Sequence, residues 1–331
     1  MRKRFLLIII ILINTAGAGA QQVLLLDSNA RTSLRGLSVV NNKVCWASGS
    51  KGTVARSTDG GKTFTWLQVP GYEHRDFRDI EAFDAQTAII MAVDTPAVLL
   101  KTTDGGKTWK KVYEDKRPGM FLDAMLFWND RSGMVVGDPI DGKIFIIRSF
   151  DGGDTWRGLP EANYPRALAG EAFFAASGTN IGKLSNDEAV FVTGGSASRL
   201  FIRDEKITLP LLQGSNSTGA NSIAIHKGVM MVVGGDYRND TLRRQNSVRI
   251  RNRGRIMEIP ATPPGGYRSC VLFRNKNQLI ACGTSGVDVS EDGGMNWRTV
   301  SKESFHVVQK AKKGAAIFLA GARGRIALLQ W

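Results

Sequence analysis

Short apolar runs alternate along this chain with turns rich in glycine, aspartate, asparagine and serine. Runs of that length with such punctuation read as β-strands. They group in fours, with a small-residue turn after the second strand of each group. Those turns fall near Gly49, Asp94, Gly137, Gly194, Gly234, Gly283 and Gly321, seven in all. The 311 residues beyond position 20 then give about 44 per group, the size of a propeller blade.

A second rhythm fixes the phase. Ser/Thr-x-Asp-Gly-Gly-x-x-Trp/Phe stands at Ser57–Phe64, Thr102–Trp109, Ser149–Trp156 and Ser290–Trp297. Asp59, Asp104 and Asp151 are 45 and 47 residues apart, and Asp292 lies 141 further on, three steps with two copies missing. The pattern suits a turn between two strands: the carboxylate accepts backbone N–H groups and the glycines take positive φ. The aromatic residue opens the outer strand and is placed to fill space between blades. The pattern resembles the Asp box, or bacterial neuraminidase repeat. Its chemistry is consumed within its own turn, so it argues for fold rather than activity.

Blades four and five lack the box and substitute the turns Arg203-Asp204-Glu205-Lys206 and Asn252-Arg253-Gly254. The last group, Phe305 to Trp331, holds three strands, while Val23–Asp27 is a lone strand at the other terminus. Pairing the two closes the ring and removes exposed strand edges. The expected fold is an all-β, seven-bladed β-propeller over 21–331, its last blade completed by the N-terminal strand.

Residues 1–20 read as a signal peptide: Arg2-Lys3-Arg4, the apolar run Phe5–Ile13, then small residues ending at Ala18-Gly19-Ala20. A retained anchor is the rival reading, though the run is short for a bilayer. Export to the periplasm or beyond is expected. Losing Arg2, Lys3 and Arg4 takes the formal charge from +14 to +11. In an exported protein such a balance favours an acidic glycan, a lipid headgroup surface or an acidic protein face over nucleic acid, or serves solubility alone. Cys270 and Cys282 face each other across a predicted hairpin, as a bridge or as two buried thiols; Cys45 has no evident partner. His74, His226 and His306 show no ligand spacing, so no metal is expected, and without a dinucleotide fingerprint, haem motif or Cys-x-x-Cys no cofactor is expected.

The innermost strands should begin at one mouth of the central channel, on the face opposite the box turns. Aligned on their apolar residues, they place Gly36, Asp79, Asp123, Glu171, Asn221 and Ser269 at that mouth, preceded by Arg35, Arg78, Leu122, Gly170, Ala220 and Arg268. Loops on the same face carry Tyr72, His74, Arg75, Tyr164, Arg166, Asp138, Asp141, Tyr237, Arg238 and Tyr267. Tyrosine and arginine combine large contact area with bidentate hydrogen bonding, which suits a binding face used by a monomer. Arg249, Arg251, Arg253 and Arg255 alternate, as on one side of a strand pair, forming either an anionic docking edge or a charged guard on an edge.

The chain resembles the photosystem II stability/assembly factor-like family of exported propellers. The residues carrying this are the boxes with Arg78-Asp79-Ile80-Glu81, Gly137-Asp138-Pro139, Gly170-Glu171-Ala172-Phe173, Gly234-Gly235-Asp236-Tyr237 and Gly266-Tyr267-Arg268-Ser269. The resemblance implies an assembly factor that binds a protein partner. A more distant resemblance to sialidases implies a glycoside hydrolase using Arg35, Arg78 and Arg268 for a substrate carboxylate, Tyr267 with Glu171 as nucleophile pair and Asp79 as acid. The Phe/Tyr-Arg-Ile-Pro signature of those enzymes is absent; Tyr164-Pro165-Arg166 does not match it. Other Asp-box glycosidases use two carboxylates, for which Asp79, Asp123 and Glu171 form the pool.

Overall fold

The computed structural model describes residues 21–331 apart from Ala30 and Asp187; the expected leader lies outside the described residues. Seven antiparallel sheets follow one another along the chain. The first blade is typical: Leu34–Val39 innermost, then Cys45–Gly49, Thr53–Ser57 and Thr65–Gln68 outermost. The second strands are almost wholly buried, as Ala88–Ala92 illustrates, because both faces of each blade pack on a neighbour.

The expected closure is present. Gln22–Asp27 pairs antiparallel with Ile326–Gln330 and completes the seventh blade. The indole of Trp66 in blade one donates to Asp27 Oδ2 at 3.0 Å, tying the closing strand to the first blade.

Each of the four Ser/Thr-x-Asp-Gly-Gly turns repeats one set of bonds. In the third, Ser149 Oγ donates to Asp151 Oδ1 at 2.8 Å and accepts from Gly153 N at 2.8 Å, while Thr155 N donates to the same carboxylate oxygen at 3.0 Å. These bonds hold the Asp59 and Asp104 carboxyls down at about 2, with the Thr63 and Thr108 hydroxyls contributing most. The second glycine, at positive φ, packs on the preceding blade; a Cβ on Gly153 would meet Ile89 Cδ1 at 2.1 Å. Its aromatic follows suit, so Trp156 sits in one cluster with Ile89 and Met91.

Blade four has no such aromatic. Between blades three and four lies a groove of ≈ 480 Å³ lined by Met134, Ile146, Phe191 and Lys206. The turn at Asn252–Gly254 is likewise not a box. There Arg253 reaches back to Glu188 of blade four with bonds of 2.6 and 3.0 Å. Alternation of the four arginines is therefore corrected: Ser247–Arg251 ends before Arg253, which lies in the turn at φ 52°, and Arg249 and Arg251 both pair with Glu258.

Candidate functional site

The first glycine of each box donates its N–H to the loop joining the first two strands of its own blade: Gly60 to Lys43 O, Gly105 to Gln86 O, Gly152 to Arg131 O, Gly293 to Asn277 O. Box turns and these loops therefore share one face. The innermost strands begin on the other.

Four of those strands begin with a β-bulge. The register skips between Leu34 and Gly36, Phe77 and Asp79, Leu122 and Ala124, and Ala220 and Ser222. The extra residues, Arg35, Arg78, Asp123 and Asn221, are thus equivalent. Alignment on apolar residues alone set Asp123 and Asn221 beside Gly36 and Asp79, one position off, because a bulge leaves no mark on hydrophobicity. The innermost strands of blades two, three and six are sheet edges, so some of their channel-side amides are satisfied by the neighbouring blade. Ser38 Oγ accepts from Ala82 N at 3.0 Å, Asp79 Oδ2 from Met125 N at 2.6 Å and Ser222 Oγ from Val271 N at 3.0 Å.

Blade four departs from the others. Its chain pairs briefly at Glu171–Ala172 with Gly194–Gly195, a ladder that joins the sheet of blade five, and enters blade four's own sheet only at Ile181–Lys183. The intervening 173–180 segment crosses the channel. Arg35 Nη1 of blade one donates to Ala176 O at 3.4 Å. Ser177 Oγ donates to Ser269 O of blade six at 2.7 Å, and Thr179 Oγ1 to Ser222 Oγ of blade five at 2.7 Å. Gly178 lies against the Asp79 carboxylate of blade two. Asn180 Nδ2 closes the excursion on Phe174 O at 2.8 Å. The channel is therefore plugged, and the small side chains at 175–179 allow four blades to approach one segment.

The plug decides where the expected site residues go. Glu171 is buried and held by Arg199, whose Nε bonds Oε1 at 2.8 Å and whose Nη2 bonds Oε2; Leu168 N adds a third contact at 2.8 Å. Arg199 was not anticipated, and none of Arg35, Arg78 or Arg268 serves this carboxylate. Arg268 is fully buried, paired with Asp288 at 2.6 Å and bonded to Ser285 Oγ at 2.8 Å, so it lies inside blade six rather than at the mouth. Ser269 is spent on His306 O at 2.6 Å, and Asn221 accepts the Tyr267 hydroxyl at 2.8 Å.

Three carboxyls of the innermost-strand mouth are displaced upward by burial. Asp79 stands well above the carboxylate range despite the amides of Ile80 and Met125. Asp123 is fully buried, near the amides of Asp138 and Ala175 but outside hydrogen-bonding geometry with any described residue, and the Asp138 charge raises it further. Burial carries Asp138 itself to about 6. The cations of this mouth act the opposite way: burial, then Arg35, lowers His306 to about 3, and burial, then Arg78, lowers Arg35.

Open at this mouth are the exposed His74, Asp141, Arg166 and Arg238, with Tyr237 and Arg78. Tyr237 is 42% exposed, edge-on to plug residue Phe174 at 5.9 Å and to buried Tyr267 at 6.4 Å. Arg78, half-buried, pairs with Asp76 at 2.7 Å and lies over the Phe121 ring. Tyr72 instead packs inward on Phe77, and Tyr164 joins the cluster between blades three and four. Cys270 and Cys282 pair in register as buried free thiols, and Cys45, also buried and free, is raised to about 12 by its burial.

The family model for photosynthesis system II assembly factor YCF48 matches residues 20–123, the closing strand and first two blades. No curated protein matches the chain. Among solved structures, YCF48 bound to D1 peptide is 16% identical, with a TM-score of 0.66 over 94% of this chain and 96% of that one. YCF48 from Cyanidioschyzon merolae gives the same identity and TM-score, covering 94% and 99%. A GH74 xyloglucanase from Xanthomonas campestris is 14% identical with a TM-score of 0.60, over 93% of this chain and 53% of that one. At such identities the structures establish the seven-bladed fold. The resemblance to the photosystem II assembly-factor family thus rests on sequence in the first blades and on fold along the whole chain.

Proposed function

We propose that this chain is an exported, monomeric scaffolding or assembly propeller that holds a segment of a partner polypeptide at the channel mouth opposite the box turns. The observation that carries this reading is Tyr237, an exposed ring braced edge-on by Phe174 and Tyr267 on a plugged, rigid floor. A braced aromatic gives contact area with little further loss of rotamer freedom on binding. Arg35 and Arg78 at the same mouth supply positive charge for carboxylates of the partner. A relative of the same fold holding a D1 peptide supports a protein ligand. The test is binding of a peptide library drawn from the host's envelope proteins, compared between the native chain and Tyr237→Ala; loss of the bound peptides supports the reading, and unchanged binding refutes it.

A glycoside hydrolase is the second reading, favoured by Asp123 and Asp138, two neighbouring carboxyls both raised by burial. Glu171, locked to Arg199, and Asp79, occupied by two amides, make poorer acids or bases for it. Hydrolysis of aryl glycosides or sialosides that disappears in Asp123→Asn, with folding intact, would put this reading first.

A further inference from the structure

The plug closes the channel, and on the box face it leaves a cup of ≈ 590 Å³. Its floor is Gly178, Thr179 and the Asp79 carboxyl. Its wall on blades one to three is apolar and aromatic, with Val40, Phe83 and Trp128. Lysines from blades four and seven flank that wall. Lys183 Nζ donates to Trp128 O at 3.0 Å and Lys310 Nζ to Arg274 O at 3.0 Å. A carbonyl orients an ammonium without neutralising it and leaves two of its three donors unspent. Lys313 has no side-chain partner among the described residues, whereas Lys312 is matched by Glu81 at 2.5 Å. The acids of the cavity are fewer in effect: Glu81 is consumed by Lys312, the Asp79 carboxyl in the floor is held toward its neutral form by burial, and Asp130 is exposed at the rim.

A blind cup of this size takes one small molecule rather than a chain. Three unneutralised, carbonyl-steered or free ammonium groups select an anion. An indole wall with the amides of Asn129 and Gln309 suits a flat-faced, hydroxyl-bearing body. We propose that the box-face cup is a second binding site, separate from the mouth carrying Tyr237, for an acidic sugar of mono- or disaccharide size bearing carboxylate or sulfate groups. Its anionic groups meet Lys183 on the blade-three side or Lys310 and Lys313 on the blade-seven side, and the sugar ring rests against Trp128.

Calorimetric titration of the folded chain with digalacturonate, with a disulfated disaccharide and with neutral cellobiose tests this. At least one acidic disaccharide should bind, at least about tenfold tighter than cellobiose, and the stronger of the two names the anion. Lys183→Gln with Lys313→Gln, both rim positions whose loss leaves the core intact, should weaken it at least about tenfold, while Tyr237→Ala leaves it unchanged. The proposal is overturned if neither acidic sugar binds, if cellobiose binds equally well, or if the double lysine variant binds as tightly as the native chain.

Discussion

Gly178 of blade four lies so close to the Asp79 carboxylate of blade two that a Cβ on it would meet the carboxylate carbon at 2.3 Å. The contact crosses the channel and exists because Gly178 sits at φ +67° with no side chain. Gly178→Ala should therefore cost more than backbone strain alone, about 2 kcal/mol or more. Gly71→Ala supplies the comparison, since Gly71 has φ +79° and open space around it. Chemical denaturation should show a clearly larger loss at 178; equal losses would mean the plug does not press on Asp79.

That plug was not legible in the sequence, and the reason is physical. The boxes announce themselves because their bonds are local, Asp151 to Thr155 or Ser149 to Gly153, so spacing alone predicted blade phase, ring closure and the unboxed blades. Ala175-Ala176-Ser177-Gly178-Thr179 reads locally as a turn. Its partners, Arg35, Asp79 and Ser269, lie on three other blades and no periodicity links them. The one available signal was length, since Glu171 and Ile181 are too far apart for a single innermost strand. Arg199 was missed for a similar reason: a charged residue ahead of Leu200-Phe201-Ile202 looks like a strand end until the fold brings Glu171 to it.

The box hydroxyl has its own test. Ser149 Oγ is buried and is the acceptor for Gly153 N. Ser149→Ala leaves that N–H buried and unpaired, so stability should fall by about 1–3 kcal/mol. Ser149→Thr, which keeps the hydroxyl as Thr102 does in the second box, should recover most of it. Thermal unfolding of the three proteins decides the matter.

Glu171 and Arg199 form a buried pair, so removing one partner strands the other charge. Arg199→Met should destabilise by about 3–5 kcal/mol. Replacing both, with Glu171→Leu added, should cost much less than the single change. A double-mutant cycle in urea measures the coupling; additive losses would show that the pair does not act as a unit.

Asp138 should make the fold acid-favoured over one window. Its carboxyl titrates at about 6 when folded and near 3.8 otherwise, so the folded chain binds the extra proton between those values. Stability from this group rises as pH falls from about 6 to 4, by at most about 3 kcal/mol. His306, depressed to about 3, works in the opposite sense as pH falls from about 6.5, so the native chain alone does not isolate the effect. The difference between native and Asp138→Asn stabilities should change across pH 4–6 and be flat above 7; a difference constant from pH 4 to 8 contradicts it.

Partner binding is assigned to the mouth carrying Tyr237. Peptides selected from the envelope library by the native chain should be retested by fluorescence anisotropy against Tyr237→Ala, Arg78→Ala and the box-face pair Lys183→Gln with Lys313→Gln. Affinity should fall at least about tenfold in each of the first two, roughly 1.4 kcal/mol or more, with thermal stability unchanged, and stay the same in the third. Peptide affinity that survives both mouth substitutions, or that is lost only when the box-face lysines change, would contradict the assignment of this mouth as the partner-binding site.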